Sequence, residues 1–170
     1  VPYAALPMAT AMSLESYIPL IMKRKEAKQH GTKKLIEGIF TKGQNCLLVE
    51  DVITSGKSLL ETIPEIENEG ITVSDIVVVL DRQQGGKELL ESKGYHVHTL
   101  ITISEVCKML KEEGLLMDDE IERINDFLAG NVVKFKEEKR ISYEEKLKIC
   151  DHSVAQKLLN IAIEKRSNLI

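Results

Sequence analysis

The run Asp75-Ile76-Val77-Val78-Val79-Leu80-Asp81 limits the fold more than any other stretch of these 170 residues. Four of its five apolar residues are β-branched, which favours a strand. It does not alternate, so neither face of that strand can meet water. A strand covered on both faces belongs inside a parallel sheet with helices above and below. It is also far too short to be a membrane span of about 18 residues or more.

The flanking sequence fits such a sheet. Short apolar runs at Pro19–Met22, Leu35–Phe40 and Cys46–Glu50 read as strands. Leu59, Leu60, Ile63 and Ile66 recur at helical spacing, with Pro64 expected to kink or shorten that helix. A short helix is expected over 86–94, a strand nearer the sheet edge over 96–103, and helices over 104–113 and 118–129. This βαβα order predicts an α/β fold. Beyond residue 131 the character changes. Residues 134–148 are dense in charge and poor in aliphatic side chains, as in a solvated linker. Residues 151–170 then resume as an amphipathic helix, with Asp151 or Ser153 as its cap and Val154, Leu158, Leu159, Ile161 and Ala162 in one stripe. The chain opens on Val1 and stops at Asn168-Leu169-Ile170, which reads like the start of a strand, so it is expected to be a piece of something longer.

A net charge of -4 gives nucleic acid no broad electrostatic footprint. Three cysteines without metal-ligand spacing suit a reducing, cytoplasmic setting better than a disulfide framework. His96 and His98 alternate on the outer strand and read as surface residues, and His152 as part of a helix entry. No metal ligands are expected from spacing.

The chemistry concentrates at residues 47–58, Leu-Leu-Val-Glu-Asp-Val-Ile-Thr-Ser-Gly-Lys-Ser. Ligands of open parallel sheets bind beyond the carboxyl ends of the strands. There, the amides of Thr54 to Ser58, three hydroxyls and the start of a helix can cradle a phosphate. Two carboxylates would repel that phosphate unless they face another part of the ligand. Adjacent ribose hydroxyls can donate to Glu50 and Asp51 while the ribose phosphate sits in the loop. The plainer alternative is that Asp51 caps a turn, Glu50 is solvated and Gly56 serves backbone geometry. The Ser-Gly-Lys-Ser segment is no Walker loop, because that motif needs a further glycine where Asp51 stands. Lys23, Arg24, Lys25, Lys28, Lys33 and Lys34 form a cationic stretch around His30, which from the residues alone is either a solvated face or a clamp for phosphates.

Residues 47–58 resemble the phosphoribosyl-pyrophosphate (PRPP) motif of type I phosphoribosyltransferases. Residues 23–31 are similar to the mobile catalytic loop of the orotate phosphoribosyltransferases, 80–86 to their orotate-contacting segment, and 1–10 to the tail of their pyrophosphate loop. The resemblance covers about three-quarters of the chain. It implies a type I phosphoribosyltransferase fold over 1–131, incomplete at its N-terminus, that transfers the phosphoribosyl group of PRPP to orotate with Mg2+ carried by the diphosphate. It implies catalytic roles for Lys25, Lys28, His30 and Asp51. PRPP contacts would come from these and from Tyr3, Arg24, Glu50, Val52, Ile53, Thr54, Ser55, Gly56, Lys57 and Ser58. Thr54 and Arg82 would meet orotate. Position 4, often lysine in bacterial relatives, is Ala4. The basic loop would reach the neighbouring subunit's site, which implies a homodimer. Residues 151–170 are similar to the entry of the orotidine 5'-phosphate decarboxylases, so 132–150 would link to the first helix of a truncated barrel. Two other readings remain open at this point: a regulator that senses PRPP without catalysis, and an incomplete chain without activity.

Overall fold

A computed structural model describes residues 1–24 and 35–132. The expected basic-loop residues Lys25, Lys28 and His30 lie outside the described residues. So do the linker at 132–150, Val132 excepted, and the helix at 151–170.

The described chain runs α1 (Ala5–Ser16), β1 (Met22–Lys23), β2 (Ile36–Glu37), β3 (Asn45–Ile53), α2 (Lys57–Asn68), β4 (Thr72–Asp81), α3 (Gly86–Ser92), β5 (His96–Thr102), α4 (Ile103–Glu112) and α5 (Asp118–Gly130). β3, β4 and β5 form a parallel sheet in that order, with the apolar run on the central strand and β5 on an edge. Strands added successively in one direction require right-handed crossovers, and these lay α2 and α3 over the same face. Leu48, Ile76 and Val97 form one row across the three strands. This row shares a core with Leu59, Ile63 and Ile66 of α2 and Leu90 of α3. Leu59, Ile76 and Leu90 are wholly buried. Each such side chain stabilises the fold by about 1.5–3 kcal/mol.

Three expectations need correction. The runs around Pro19–Met22 and Leu35–Phe40 do not join the parallel sheet. They supply only two residues each to an antiparallel pair, Met22–Lys23 against Ile36–Glu37. β3 extends to Ile53, so Asp51 lies within the strand rather than after it. Pro64 does not shorten α2, which continues to Asn68. It sits on the exposed side of the helix, while Leu59, Thr62, Ile63 and Ile66 are buried and hold the helix against the sheet.

Beyond β5, Thr102 caps α4. Its hydroxyl accepts from the Glu105 amide at 3.3 Å, and the Glu105 carboxylate accepts from the Thr102 amide at 2.8 Å. That reciprocal pair fixes the sharp strand-to-helix transition.

Candidate active site

β3 delivers its two carboxylates to the carboxyl end of the sheet, where the chain turns through Thr54-Ser55-Gly56 into α2. The two acids differ in setting. Glu50 is 5% exposed, so it is not the solvated residue of the plainer reading. Its Oε2 accepts from the Ser58 hydroxyl at 3.2 Å and its Oε1 from the Asp51 amide at 3.4 Å. Burial, reinforced by a hydrogen bond with the Asp51 side chain, pushes its carboxyl up to about 7. Asp51 is only half-buried.

The turn itself depends on Gly56, whose φ of 72° lies in the left-handed region. Gly56 stands at the N-cap position of α2 and has no side chain to cap it, so of the first-turn amides only that of Lys57 meets a side chain among the described residues, at a long 3.4 Å to Ser55. The hydroxyls are less free than their number implied. Ser58 is turned toward Glu50, and Ser55 accepts from the Lys57 amide at 3.4 Å. Lys57 points away along the helix surface to Glu61 at 3.8 Å, as expected if the segment is not a Walker loop. Ile53 is a core residue by its side chain, and Val52 lies partly exposed.

A second loop, between β4 and α3, is tied to the first through the backbone. The Arg82 amide donates to the Ile53 carbonyl at 3.0 Å, and the Gly86 amide donates to the Thr54 carbonyl at 2.9 Å. A Cβ on Gly86 would fall closest to the Thr54 carbonyl oxygen, 2.7 Å from the Gly56 nitrogen and 2.8 Å from the Ser55 carbonyl carbon. Only glycine permits the loops to lie this close. Asp81 accepts from the Gln83 amide at 2.7 Å, and the Gln83 side chain in turn accepts from the backbone and hydroxyl of Ser104 on α4. Asp81 is therefore spent on the turn, and the Arg82 guanidinium forms no ion pair with it or with any other described residue. Its backbone amide holds Arg82 beside Ile53 and Thr54.

Arg24 is placed differently. Its guanidinium donates to Glu37 at 2.7 Å across the β1–β2 pair, and its amide donates to the Leu35 carbonyl at 2.7 Å. Tyr3 is largely exposed just ahead of α1. Its segment runs beside β3, where the Val1 amine donates to the Val49 carbonyl at 2.6 Å. The structure thus brings Glu50, Asp51, Thr54–Ser58 and Arg82 into one cluster, while Arg24 is engaged with Glu37. Sequence reasoning missed the bracing role of Gly86 and Gln83. The Gly85-Gly86 doublet was the available signal.

Residues 1–114 match the phosphoribosyl transferase domain family. Uridine 5'-monophosphate synthase of Bos taurus is 38% identical over 182 residues, covering 99% of this chain and 38% of that protein. An orotate phosphoribosyltransferase of Caenorhabditis elegans is 44% identical over 131 residues, 76% of this chain and 56% of that one. Among solved structures, that of Leishmania donovani UMP synthase superposes with a TM-score of 0.69 at 31% identity, covering 76% of this chain and 28% of that one. Orotate phosphoribosyltransferase from Aeropyrum pernix gives 0.56 at 28% identity, with 65% of this chain and 61% of that one covered. The chain spans less than two thirds of the length of each of these relatives.

Proposed function

Because the chain belongs to the phosphoribosyl transferase domain family, we propose that it carries the site of an orotate phosphoribosyltransferase. In this reaction orotate displaces pyrophosphate from C1 of PRPP with inversion, giving orotidine 5'-phosphate. The single observation that carries the reading is the junction of the two loops. A helix start without a side-chain cap, beside two carboxylates, is bonded directly to the segment that presents Arg82, which has no ion pair among the described residues.

Each part has a distinct task. The amides of Thr54 to Ser58 hold the ribose phosphate. Asp51 accepts from ribose hydroxyls, and the buried Glu50 backs it from inside, accepting from the Asp51 amide and the Ser58 hydroxyl. As the bond from C1 to pyrophosphate breaks, the sugar becomes oxocarbenium-like, and the fixed hydroxyl contacts keep C1 aligned with the incoming nitrogen. Arg82 presents a planar fork to the anionic, carbonyl-rich base, with Thr54 beside it. Lys25, Lys28 and His30 are assigned, from their resemblance to the family loop, to the departing charge, which such a loop stabilises by closing over it. Tyr3 belongs with them. Arg24, held by Glu37 through one nitrogen, would join with its remaining donors.

The donors at this end of the sheet, the Asp51 carboxylate and the Thr54 and Ser55 hydroxyls, are all oxygen and so fit Mg2+. The ion would sit mainly on the diphosphate, near Asp51, and neutralise part of its charge. The 99% coverage in the bovine alignment supports reading 132–150 as a linker and 151–170 as the entry to an orotidine 5'-phosphate decarboxylase domain. A homodimer sharing the basic loop completes the proposal.

The test is orotate-dependent release of pyrophosphate from PRPP by this chain and by Asp51→Asn and Arg82→Ala variants. Release without orotate dependence, or equal rates in all three proteins, would refute the assignment.

A further inference from the structure

We propose that Asp75, His96 and His98 bind a divalent transition-metal ion of the zinc class, at the end of the sheet opposite the candidate active site. Asp75 lies early in β4 and is paired in register with His96, the first residue of β5, while His98 is paired with Val77. All three side chains therefore project from one face of the sheet. The sequence hides this, because Asp75 joins the two histidines only through strand pairing.

The distances suit a metal. Asp75 Oδ1 lies 3.1 Å from His98 Nε2 and 3.5 Å from His96 Nδ1, and the three ligand atoms all fall within 4.8 Å of one another. Zinc bonds of about 2.0–2.1 Å in a tetrahedron place ligand atoms about 3.3 Å apart. Two of the three edges already bracket that value. Two imidazoles and one carboxylate are also the donor mix of open zinc centres, whereas Mg2+ and Ca2+ favour oxygen alone. A simple ion pair would need one ring on the carboxylate. Here two rings converge on a single oxygen.

The surroundings orient the ligands. Asp75 is 2% exposed, and its other oxygen accepts from the Ser74 hydroxyl at 2.6 Å. Ser74 accepts in turn from the Asn45 amide group at 3.0 Å. This chain turns Oδ1 toward the rings, as outer-shell partners do in metal centres. The His96 and His98 side chains are 35% and 22% exposed, which leaves an entry path and room for water as a fourth ligand. A bound ion would clamp the start of β4 to the start of β5.

Tag-free protein, stripped with a chelator and dialysed, is titrated with Co2+ and then with Zn2+. One equivalent of Co2+ should produce the strong visible absorption of tetrahedral cobalt. Zn2+ should abolish it, and millimolar Mg2+ should not. His96→Gln and His98→Gln alter half-exposed residues, so their folding is readily confirmed by circular dichroism. Each should weaken cobalt binding by about 10-fold or more. No tetrahedral spectrum, or one that survives both substitutions as binding at Cys46 or Cys107 would, overturns the proposal.

Discussion

Replacing Gly86 by alanine tests whether the two ligand loops depend on their close contact. The backbone at Gly86 does not have a positive φ, so alanine can adopt its conformation and the whole penalty is steric. The added methyl would meet the Thr54 carbonyl, the Gly56 nitrogen and the Ser55 carbonyl carbon, all backbone atoms that cannot rotate away. Overpacking of this kind costs about 1–3 kcal/mol, and three simultaneous backbone contacts put Gly86→Ala at the upper end. Alanine recovers about 0.4–1 kcal/mol by restricting the unfolded chain. The net loss should therefore be about 2 kcal/mol, or about 1 M in the urea midpoint at an ordinary slope. Gly130→Ala is the matched control, because a Cβ there meets nothing within 4 Å. It should be neutral or slightly stabilising. Since relief of the clash moves Thr54 to Gly56, the KM for PRPP should also rise by about 10-fold or more in Gly86→Ala. A Gly86→Ala protein within about 0.5 kcal/mol of the parent, with an unchanged KM, would show that the loops separate freely and refute the reasoning.

Asp51→Asn removes a half-exposed carboxylate, so kcat/KM for PRPP should fall by about 10- to 100-fold, the worth of one charged hydrogen bond, while the melting temperature stays within a few degrees. Arg82→Ala should cut kcat/KM for orotate by a similar factor with little loss in urea stability, because Arg82 has no ion pair among the described residues; a large loss of stability would mean the guanidinium is structural. Glu50 is raised from 4.5 to about 7, so its neutral form favours the fold, and that contribution is complete below about pH 4.5 and lost as pH rises through 7. At about 1.4 kcal/mol per pH unit the interval is worth roughly 3 kcal/mol, and Glu50→Gln should flatten the fall in stability over this window in chemical denaturation.

The parts of the fold that sequence made legible are those set by local pattern. The unbroken apolar run of 76–80 required burial on both faces, and β4 provides it from Ile76 to Val78, while Val79 and Leu80 are partly buried. The helical spacing of Leu59, Ile63 and Ile66 named the side of α2 that meets the sheet. The candidate site was legible where its residues are consecutive, from Glu50 to Ser58. What escaped depends on contacts between distant segments. Nothing local to Gly86 says that its neighbour is Thr54, and nothing local to His96 and His98 says that Asp75 lies opposite them. The two-residue β1 and β2 were overread for the same reason. Apolar composition supports a strand, but only pairing decides its length and direction.

The bonds from Arg82 to Ile53 and from Gly86 to Thr54 have a consequence for protein engineering. The segment proposed to meet the base and the segment proposed to hold the sugar phosphate are one mechanical part. A transplant of residues 82–86 from a transferase with another base preference would import its side chains but could sever the bridge to Thr54. Redesign of acceptor choice should therefore move both loops together, or keep the glycine at 86 and vary only the residues that face outward from the seam.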